Sequence, residues 1–204
     1  IISLLERVAQ QRVAGIELEV VVVDDGSRDD TVAKLESRPD LYSKLVQLGR
    51  NQGKGGAVIA GLKAANGEFV LFQDADLEYD PADYVRIFEP LLGHDADIVM
   101  GSRLIAPRLT RVHYFWNKIG NRSITFLFNV LHNTTFTDIY SCYLCFRRRL
   151  VDPDELVSRG WGQQAELLSK AVQRGRVIYE APISYHGRTY EEGKKIRARH
   201  VIDV

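Results

Sequence analysis

The sequence predicts an α/β fold with an open, mostly parallel sheet flanked by helices. Short β-branched runs such as 17–24 alternate with segments such as 53–65, in which apolar residues recur at helical spacing. The runs are nearly continuous in apolar residues, which is typical of parallel strands buried on both faces. Acidic or glycine-rich clusters follow the strand ends, where ligands bind in open sheets of this kind.

The predicted elements follow one another in regular order. The helix after residue 80 is the clearest, because Asp80 is suited to cap it and Pro81 to occupy its first position. The first half gives a helix over 1–13, a strand over 17–24, a helix from about Ser27, a strand over 42–48, a helix over 53–65, a strand over 68–73, the helix after Asp80 and a strand over 96–101. The second half gives a helix over 114–132, a strand over 145–148, a helix over 163–172, a strand over 176–183 and a basic tail over 184–204.

The length and composition of the chain exclude several classes of protein. The chain has 204 residues, enough for one sizeable core, and we expect a single domain over 1–204. Lys and Arg together equal Asp and Glu at 27 each, so no net charge attracts nucleic acid. Two cysteines exclude a disulfide scaffold and fit a reducing compartment. No apolar run is long enough to span a bilayer.

The strongest chemical motif is Asp74-Ala-Asp76 at the end of a predicted strand. Two carboxylates at this spacing leave a strand on the same side and can share one hard cation. Mg²⁺ and Mn²⁺ bind such pairs together with phosphate oxygens. A pair of solvated turn acids or helix caps is the alternative interpretation.

Two further clusters follow predicted strands. Val23-Asp-Asp-Gly-Ser-Arg-Asp-Asp-Thr31 has carboxylates that can accept hydrogen bonds from a base or ribose, or that serve only a turn and a helix start. Asn51-Gln-Gly-Lys-Gly-Gly56 places glycine-rich backbone before a helix, which suits a phosphate. It is not a P-loop, because Val58 stands where that motif needs a hydroxyl.

The ordered set of motifs resembles family 2 glycosyltransferases of the GT-A fold, a Rossmann-like architecture. More narrowly, it is similar to the branch that contains dolichol-phosphate mannose synthase and bacterial polyprenyl-phosphate glycosyltransferases. The resemblance runs from about Leu18 to Arg197. Besides the three clusters above, it rests on Gly101-Ser-Arg103, Trp116-Asn, Gly120-Asn-Arg122, Thr137-Asp138, Ser141-Cys-Tyr143, Phe146-Arg147, Ser184-Tyr-His-Gly-Arg-Thr189 and Glu192-Gly-Lys-Lys195.

The resemblance implies a role for each matched residue. Asp24 or Asp25 would hold the nucleotide, with Lys54 nearby, and Asp74 and Asp76 would bind the donor diphosphate through Mg²⁺ or Mn²⁺. Arg103, Arg122 and Ser141 would contact the acceptor phosphate or the transferred sugar. Glu166 would be a base or lie in the metal shell, and a helix N-terminal acid is an equal alternative. A flexible segment would close over the diphosphate through Arg188, Lys194 and Lys195.

The implied reaction is inverting, metal-dependent transfer of a sugar from a nucleotide-diphosphate sugar (GDP-mannose or a UDP-hexose) to a polyprenyl or dolichyl phosphate. Such an acceptor is already anionic and needs only positioning, whereas a saccharide hydroxyl would need a general base. A saccharide acceptor and a catalytically silent nucleotide-sugar binding domain are the alternatives. A lipid acceptor implies a cytoplasmic protein held at the cytoplasmic face of the membrane.

The chain also departs from the family pattern. The family opens with a strand, whereas this chain begins in the following helix, so we expect a hole at the centre of the sheet and a strand that precedes Ile1 in the natural protein. Leu144 and the pair Gln163-Gln164 replace residues common in the family and leave acceptor specificity open. The aromatic-rich helix over 114–131 is interpreted either as a core helix or as one lying in a bilayer interface.

Overall fold

The computed structural model describes residues 1–105, 115–160 and 162–187. Six helices and six strands alternate through the described residues, close to the predicted order. They are α1 (Ile2–Ala9), β1 (Val21–Asp24), α2 (Thr31–Glu36), β2 (Lys44–Gln47), α3 (Gly53–Ala64), β3 (Phe69–Leu71), α4 (Tyr84–Gly93), β4 (Ile98–Ser102), α5 (Phe115–His132), β5 (Leu144–Arg147), α6 (Gln163–Arg174) and β6 (Ile178–Pro182).

The cap that the sequence predicts at Asp80 belongs to the 3₁₀ turn before α4, and α4 itself begins three residues later than predicted, at Tyr84. The Asp80 carboxylate accepts a hydrogen bond from the Ala82 amide at 3.0 Å, and Pro81 opens a short 3₁₀ turn that leads into the helix. The cap satisfies one of the amides that a helix start leaves without a partner. This cap and the turn after Asp76 direct the chain away from the end of β3.

The strands form two separate groups. β1 pairs in parallel with β2, and the second group has the order β3-β5-β4-β6. β4 and β6 are parallel, while β5 runs antiparallel to both β3 and β4. β3, β4 and β6 therefore share one direction, as a mostly parallel sheet requires, and β5 is the one described strand of this group that runs the other way.

A gap separates the two groups of strands. A cavity of about 650 Å³ lies between β1 and β3, and apolar residues such as Leu4, Ala57 and Phe88 line it together with both strands. Among the described strands, β1 pairs only with β2, and β3 pairs only with β5. The cavity lies where the sequence predicts a hole in the sheet, and Lys54 and Asp74 are among the residues that line it.

The larger strand group is buried on both faces. Ile98 and Met100 of β4 pack in a cluster with residues of α3, α5 and α6, whereas Val99 packs with α1 and α4 on the opposite face. This alternation follows from the two-residue period of a strand. Helices therefore cover both faces of the sheet, as the predicted fold class requires.

Helix α5 has an apolar face that no described element covers. Thr125 and Phe128 are buried on its inner side. Seven large apolar side chains of the same helix are 42–71% exposed: Phe115, Trp116, Ile119, Phe126, Leu127, Val130 and Leu131. A contiguous exposed apolar surface of this kind is typical of an interaction site.

Candidate active site

Two carboxylates of the candidate site lie at the end of β3. Asp74 and Asp76 follow Phe72 and Gln73 in an irregular segment, and both are partly buried. The ammonium of Lys54, in the first turn of α3, lies 2.8 and 2.9 Å from the two oxygens of Asp74. The sequence placed Lys54 near the nucleotide without naming a partner, and the structure gives it Asp74.

The charges around Lys54 favour its protonated form. Burial lowers the pKa of Lys54, but the carboxylates of Asp74 and Asp76 outweigh this and leave the pKa above its ordinary value. Burial is the main cause that raises the pKa of the Cys142 thiol beside it, so this thiol stays neutral. The site therefore presents a protonated lysine next to its carboxylates.

The carboxylate pair fits a divalent cation that is shared with a ligand. Asp74, which lines the cavity, and Asp76, two residues later, offer hard oxygen ligands, the donor type that Mg²⁺ and Mn²⁺ prefer. Within residues 1–105, 115–160 and 162–187, no cluster of three or more His, Cys, Asp or Glu is arranged to hold a metal alone. Phosphate oxygens of a bound ligand and water molecules would complete the coordination.

Asp24 and Asp25 hold the loops beside the site. Asp24 is buried and accepts hydrogen bonds from the amides of Gly26 and Ser27 at 3.2–3.3 Å. Asp25 accepts one from the Gln52 amide at 2.7 Å, just before α3. Gly26 has a φ of +73°, and a Cβ there would lie 2.7 Å from the Arg50 carbonyl carbon. Asp24 thus fixes the loop after β1, and Asp25 ties this loop to the start of α3.

Arg103, at the end of β4, is bound to a buried acid. Its Nε and Nη2 donate to the two oxygens of Asp138 at 2.6 and 2.8 Å. Asn121 of α5 donates to the same carboxylate at 2.9 Å. Burial raises the pKa of Asp138, but the charge and hydrogen bonds of Arg103 outweigh it and keep the pKa below its ordinary value.

The ring of Tyr185 packs against Arg103. The guanidinium lies 5.0 Å from the ring centroid of Tyr185, a cation–π contact. The Tyr185 hydroxyl donates to Glu78 at 2.9 Å, two residues after Asp76. Burial raises the pKa of Tyr185 to about 12, so this hydroxyl keeps its proton. Tyr185 thus links the segment after β6, in which it lies, to the segment after β3, which contains Glu78.

The other predicted residues occupy varied positions. Arg122 is exposed on α5, one residue from the Asn121 that contacts Asp138. Ser141 is fully buried, its hydroxyl has no hydrogen-bond partner among the described residues, and its carbonyl accepts from Gln164 at 2.9 Å. Glu166 lies in the first turn of α6, and its carboxylate contacts the amides of Val157 and Ser158. Arg188, Lys194 and Lys195 lie outside the described residues.

Sequence reasoning missed several residues that organise the site. Asp138 and Asn121 stood in matched motifs, but nothing in the sequence assigned them to Arg103. Gln73 accepts hydrogen bonds from the hydroxyls of Tyr143 and Tyr84 at 2.7 and 3.1 Å, which anchors the residue before Asp74. These partners are far apart in the chain, so no local spacing could have found them.

Comparison with known proteins identifies relatives over most of the chain. The family model described as glycosyl transferase family 2 matches residues 1–153. A glycosyltransferase, AglJ, from Haloferax volcanii is 32% identical over 173 residues, which is 83% of this chain and 54% of that protein. A dolichol-phosphate mannosyltransferase from Pyrococcus furiosus is 27% identical over 183 residues, 88% of this chain and 51% of that protein. The chain thus spans about half the length of these curated relatives.

Solved structures support the same fold. Glucosyl-3-phosphoglycerate synthase from Mycobacterium tuberculosis, in complex with Mn²⁺, UDP and phosphoglyceric acid, has a TM-score of 0.64 at 22% identity. The match covers 93% of this chain and 67% of that one. At this identity the likeness shows the fold, which is the GT-A fold. Since the family model matches three quarters of its length, the chain belongs to glycosyl transferase family 2.

Proposed function

We propose that this chain transfers a hexosyl group from a nucleotide-diphosphate sugar to a polyprenyl phosphate, with inversion and with the help of Mg²⁺ or Mn²⁺. The observation that carries the proposal is the pair Asp74 and Asp76 at the end of β3, with Lys54 paired to Asp74. Two acids and one cation at the carboxyl end of a strand suit a diphosphate that departs with negative charge.

On the donor side, Asp74 and Asp76 would hold the cation, which when bound neutralises the charge that develops on the leaving diphosphate. Lys54 would move from Asp74 toward a phosphate oxygen and so contribute a second positive charge. Asp24 and Asp25 would shape the nucleotide end of the site through the loops they fix. The structure of glucosyl-3-phosphoglycerate synthase with Mn²⁺ and UDP supports a divalent cation and a nucleotide-diphosphate donor.

On the acceptor side, the residues favour a nucleophile that is already charged. Gln163 and Gln164 open α6 with amides, which cannot accept a proton as a base would. A phosphate oxygen needs no base and only has to be oriented. Arg122 would supply the positive charge that orients the acceptor phosphate. Arg103 stays bound to Asp138 and would offer the phosphate only the edge of its guanidinium that Asp138 does not occupy.

The acceptor's lipid tail would lie along the apolar face of α5. Arg122 lies on the same helix as the exposed Phe126 and Val130, so a phosphate and a hydrocarbon chain could be bound side by side. Among the described residues, no helix is long and apolar enough to cross a membrane. Contact with the cytoplasmic membrane face would occur through the exposed face of α5, and the similarity to a dolichol-phosphate mannosyltransferase from Pyrococcus furiosus supports a lipid-phosphate acceptor.

The test measures nucleoside diphosphate release by the full-length protein with Mn²⁺ and GDP-mannose, UDP-glucose or UDP-GlcNAc. Each donor is assayed with and without undecaprenyl or dolichyl phosphate. We expect release that requires the lipid phosphate and is lost in Asp76→Asn but retained in the surface control Glu89→Gln. Release that requires a saccharide instead would replace the lipid acceptor, and donor binding without any release would indicate a silent binding domain.

A further inference from the structure

The carboxylate of Glu166 binds the backbone of the loop that precedes α6. The Val157 amide lies 3.0 and 3.3 Å from its two oxygens, and the Ser158 amide donates at 2.8 Å. Amide hydrogen bonds to a charged acceptor are among the stronger ones in proteins. Both oxygens of Glu166 are therefore engaged by the segment 157–158.

The same loop is pressed against the start of α3. The Gly55 amide donates to the Arg159 carbonyl at 3.2 Å. A Cβ on Gly55 would lie 2.0 Å from the Ser158 carbonyl oxygen, and one on Gly53 would lie 2.6 Å from that of Arg159. The glycines of this segment thus allow two stretches of backbone to touch, which side chains would prevent.

Lys54 stands between these two glycines and reaches Asp74. Its ammonium contacts both oxygens of Asp74 at 2.8–2.9 Å, while 48% of its side chain is exposed. A long, half-exposed side chain keeps one geometry only if its backbone is fixed. The loop that Glu166 holds supplies one of the contacts that fix that backbone.

We propose that Glu166 is a positioning residue: it anchors residues 157–159 against the start of α3 and so holds Lys54 on Asp74. The proposal rests on the proposed function where it treats Asp74 as part of the donor site. This task differs from that of a general base. A base would need a free carboxylate oxygen facing the acceptor hydroxyl, whereas the oxygens of Glu166 accept hydrogen bonds from backbone amides. The expected consequence of losing Glu166 is a mobile loop and a displaced lysine.

The first test uses the free protein and needs no substrate. Glu166→Ala and Glu166→Gln are compared with the wild type and with Glu89→Ala, an exposed glutamate of α4. Brief trypsin treatment reports opening of the exposed Arg159–Gly160 bond, and acetylation by a limiting amount of acetic anhydride reports access to Lys54. We expect both rates to rise about tenfold in Glu166→Ala and less in Glu166→Gln, which retains one acceptor oxygen.

Lys63, which pairs with Asp154, serves as the internal reference for acetylation and should not change. Circular dichroism verifies that each variant is folded, and Glu166→Gln keeps the test valid if the alanine variant is not. Unchanged rates at both Arg159 and Lys54 in a folded variant would overturn the proposal. This result is independent of whether the protein transfers a sugar.

The second test separates positioning from base catalysis. With Mn²⁺ and UDP as the probe, we expect Glu166→Ala and Lys54→Ala each to weaken binding, and the double variant to be no weaker than the worse single one, because the two act through one contact. Turnover of Glu166→Gln should stay within about tenfold of the wild type, whereas loss of a general base costs on the order of 10²–10⁴. Turnover reduced to that extent with unchanged Mn²⁺–UDP binding would make Glu166 the base and refute the proposal.

Discussion

Arg103 and Asp138 form a buried, bidentate ion pair at the end of β4, with contacts of 2.6 and 2.8 Å. Asp138 is fully buried and only 18% of the Arg103 side chain is exposed. Both charges have lost most of their water, so each depends on the other for stabilisation. The pair also fixes the guanidinium plane that faces Tyr185, since the second hydrogen bond removes rotation about the first.

Removal of the Asp138 charge should destabilise the fold. In Asp138→Asn, Arg103 would keep its buried charge without the carboxylate that pairs with it. Loss of one partner of a buried ion pair lowers the free energy of unfolding by about 3–5 kcal/mol. Urea denaturation followed by circular dichroism measures the change. The control is Asp40→Asn, which breaks an exposed pair with Arg38 and should alter stability little. Equal stability of the two variants would show that the buried pair is not needed.

The same pair predicts a dependence of stability on pH. Arg103 keeps the pKa of Asp138 below its ordinary value although burial alone would raise it. A carboxylate whose pKa is lower in the folded state stabilises the fold above its unfolded pKa, about 3.9, and loses this contribution as the pH falls through the folded value. The free energy of unfolding should therefore fall more steeply below about pH 4 in the wild type than in Asp138→Asn. Urea denaturation midpoints of both proteins, measured between neutral and acidic pH, test this. The same dependence on pH in wild type and Asp138→Asn would contradict the lowered pKa of Asp138.

Local patterns predicted the elements well, because their causes lie close together in the chain. The apolar period of 53–65 gave α3 to within one residue, and Asp80 with Pro81 gave the 3₁₀ turn that leads into α4. The gap between the two strand groups was predictable from the order of elements. The hydrogen-bond partners of Arg103 and Glu166 were not predictable from the sequence. The end of β4 contacts Asp138, and α6 contacts Val157, only because the chain folds in this topology. The antiparallel direction of β5 is likewise set by tertiary pairing rather than by its own sequence.

Gly55→Ala should be strongly destabilising. Its Cβ would lie 2.0 Å from the Ser158 carbonyl oxygen, so the loop would have to move away from α3. We expect a loss on the order of 2–4 kcal/mol in the free energy of unfolding, since backbone cannot yield as a flexible side chain does. Gly93→Ala, at the end of α4, is the matched control because nothing lies within 4 Å of its Cβ. Thermal denaturation of both variants tests this, and a tolerated Gly55→Ala would contradict the close packing.

The exposed face of α5 should mediate binding to lipid. Replacement of Phe126 and Val130, 70% and 63% exposed, by serine removes apolar area without touching the inner side of the helix. We expect vesicle co-sedimentation of the full-length protein to weaken about tenfold or more, since each buried apolar side chain contributes about 1.5–3 kcal/mol. Val85→Ser, 52% exposed on α4, controls for a general loss of apolar surface. Undiminished binding in the double variant would assign membrane contact to another part of the protein.

Lys54 should weaken metal binding to the free protein and strengthen diphosphate binding. Its ammonium contacts both oxygens of Asp74, and it repels a second cation at that position. Lys54→Met should therefore bind Mn²⁺ alone more tightly, by roughly threefold to tenfold for a half-exposed pair, and bind Mn²⁺–UDP more weakly. Calorimetric titration measures both affinities, with Lys63→Met as the control for loss of a surface charge. If both affinities fall together, Lys54 supports Asp74 in holding the metal rather than competing with it.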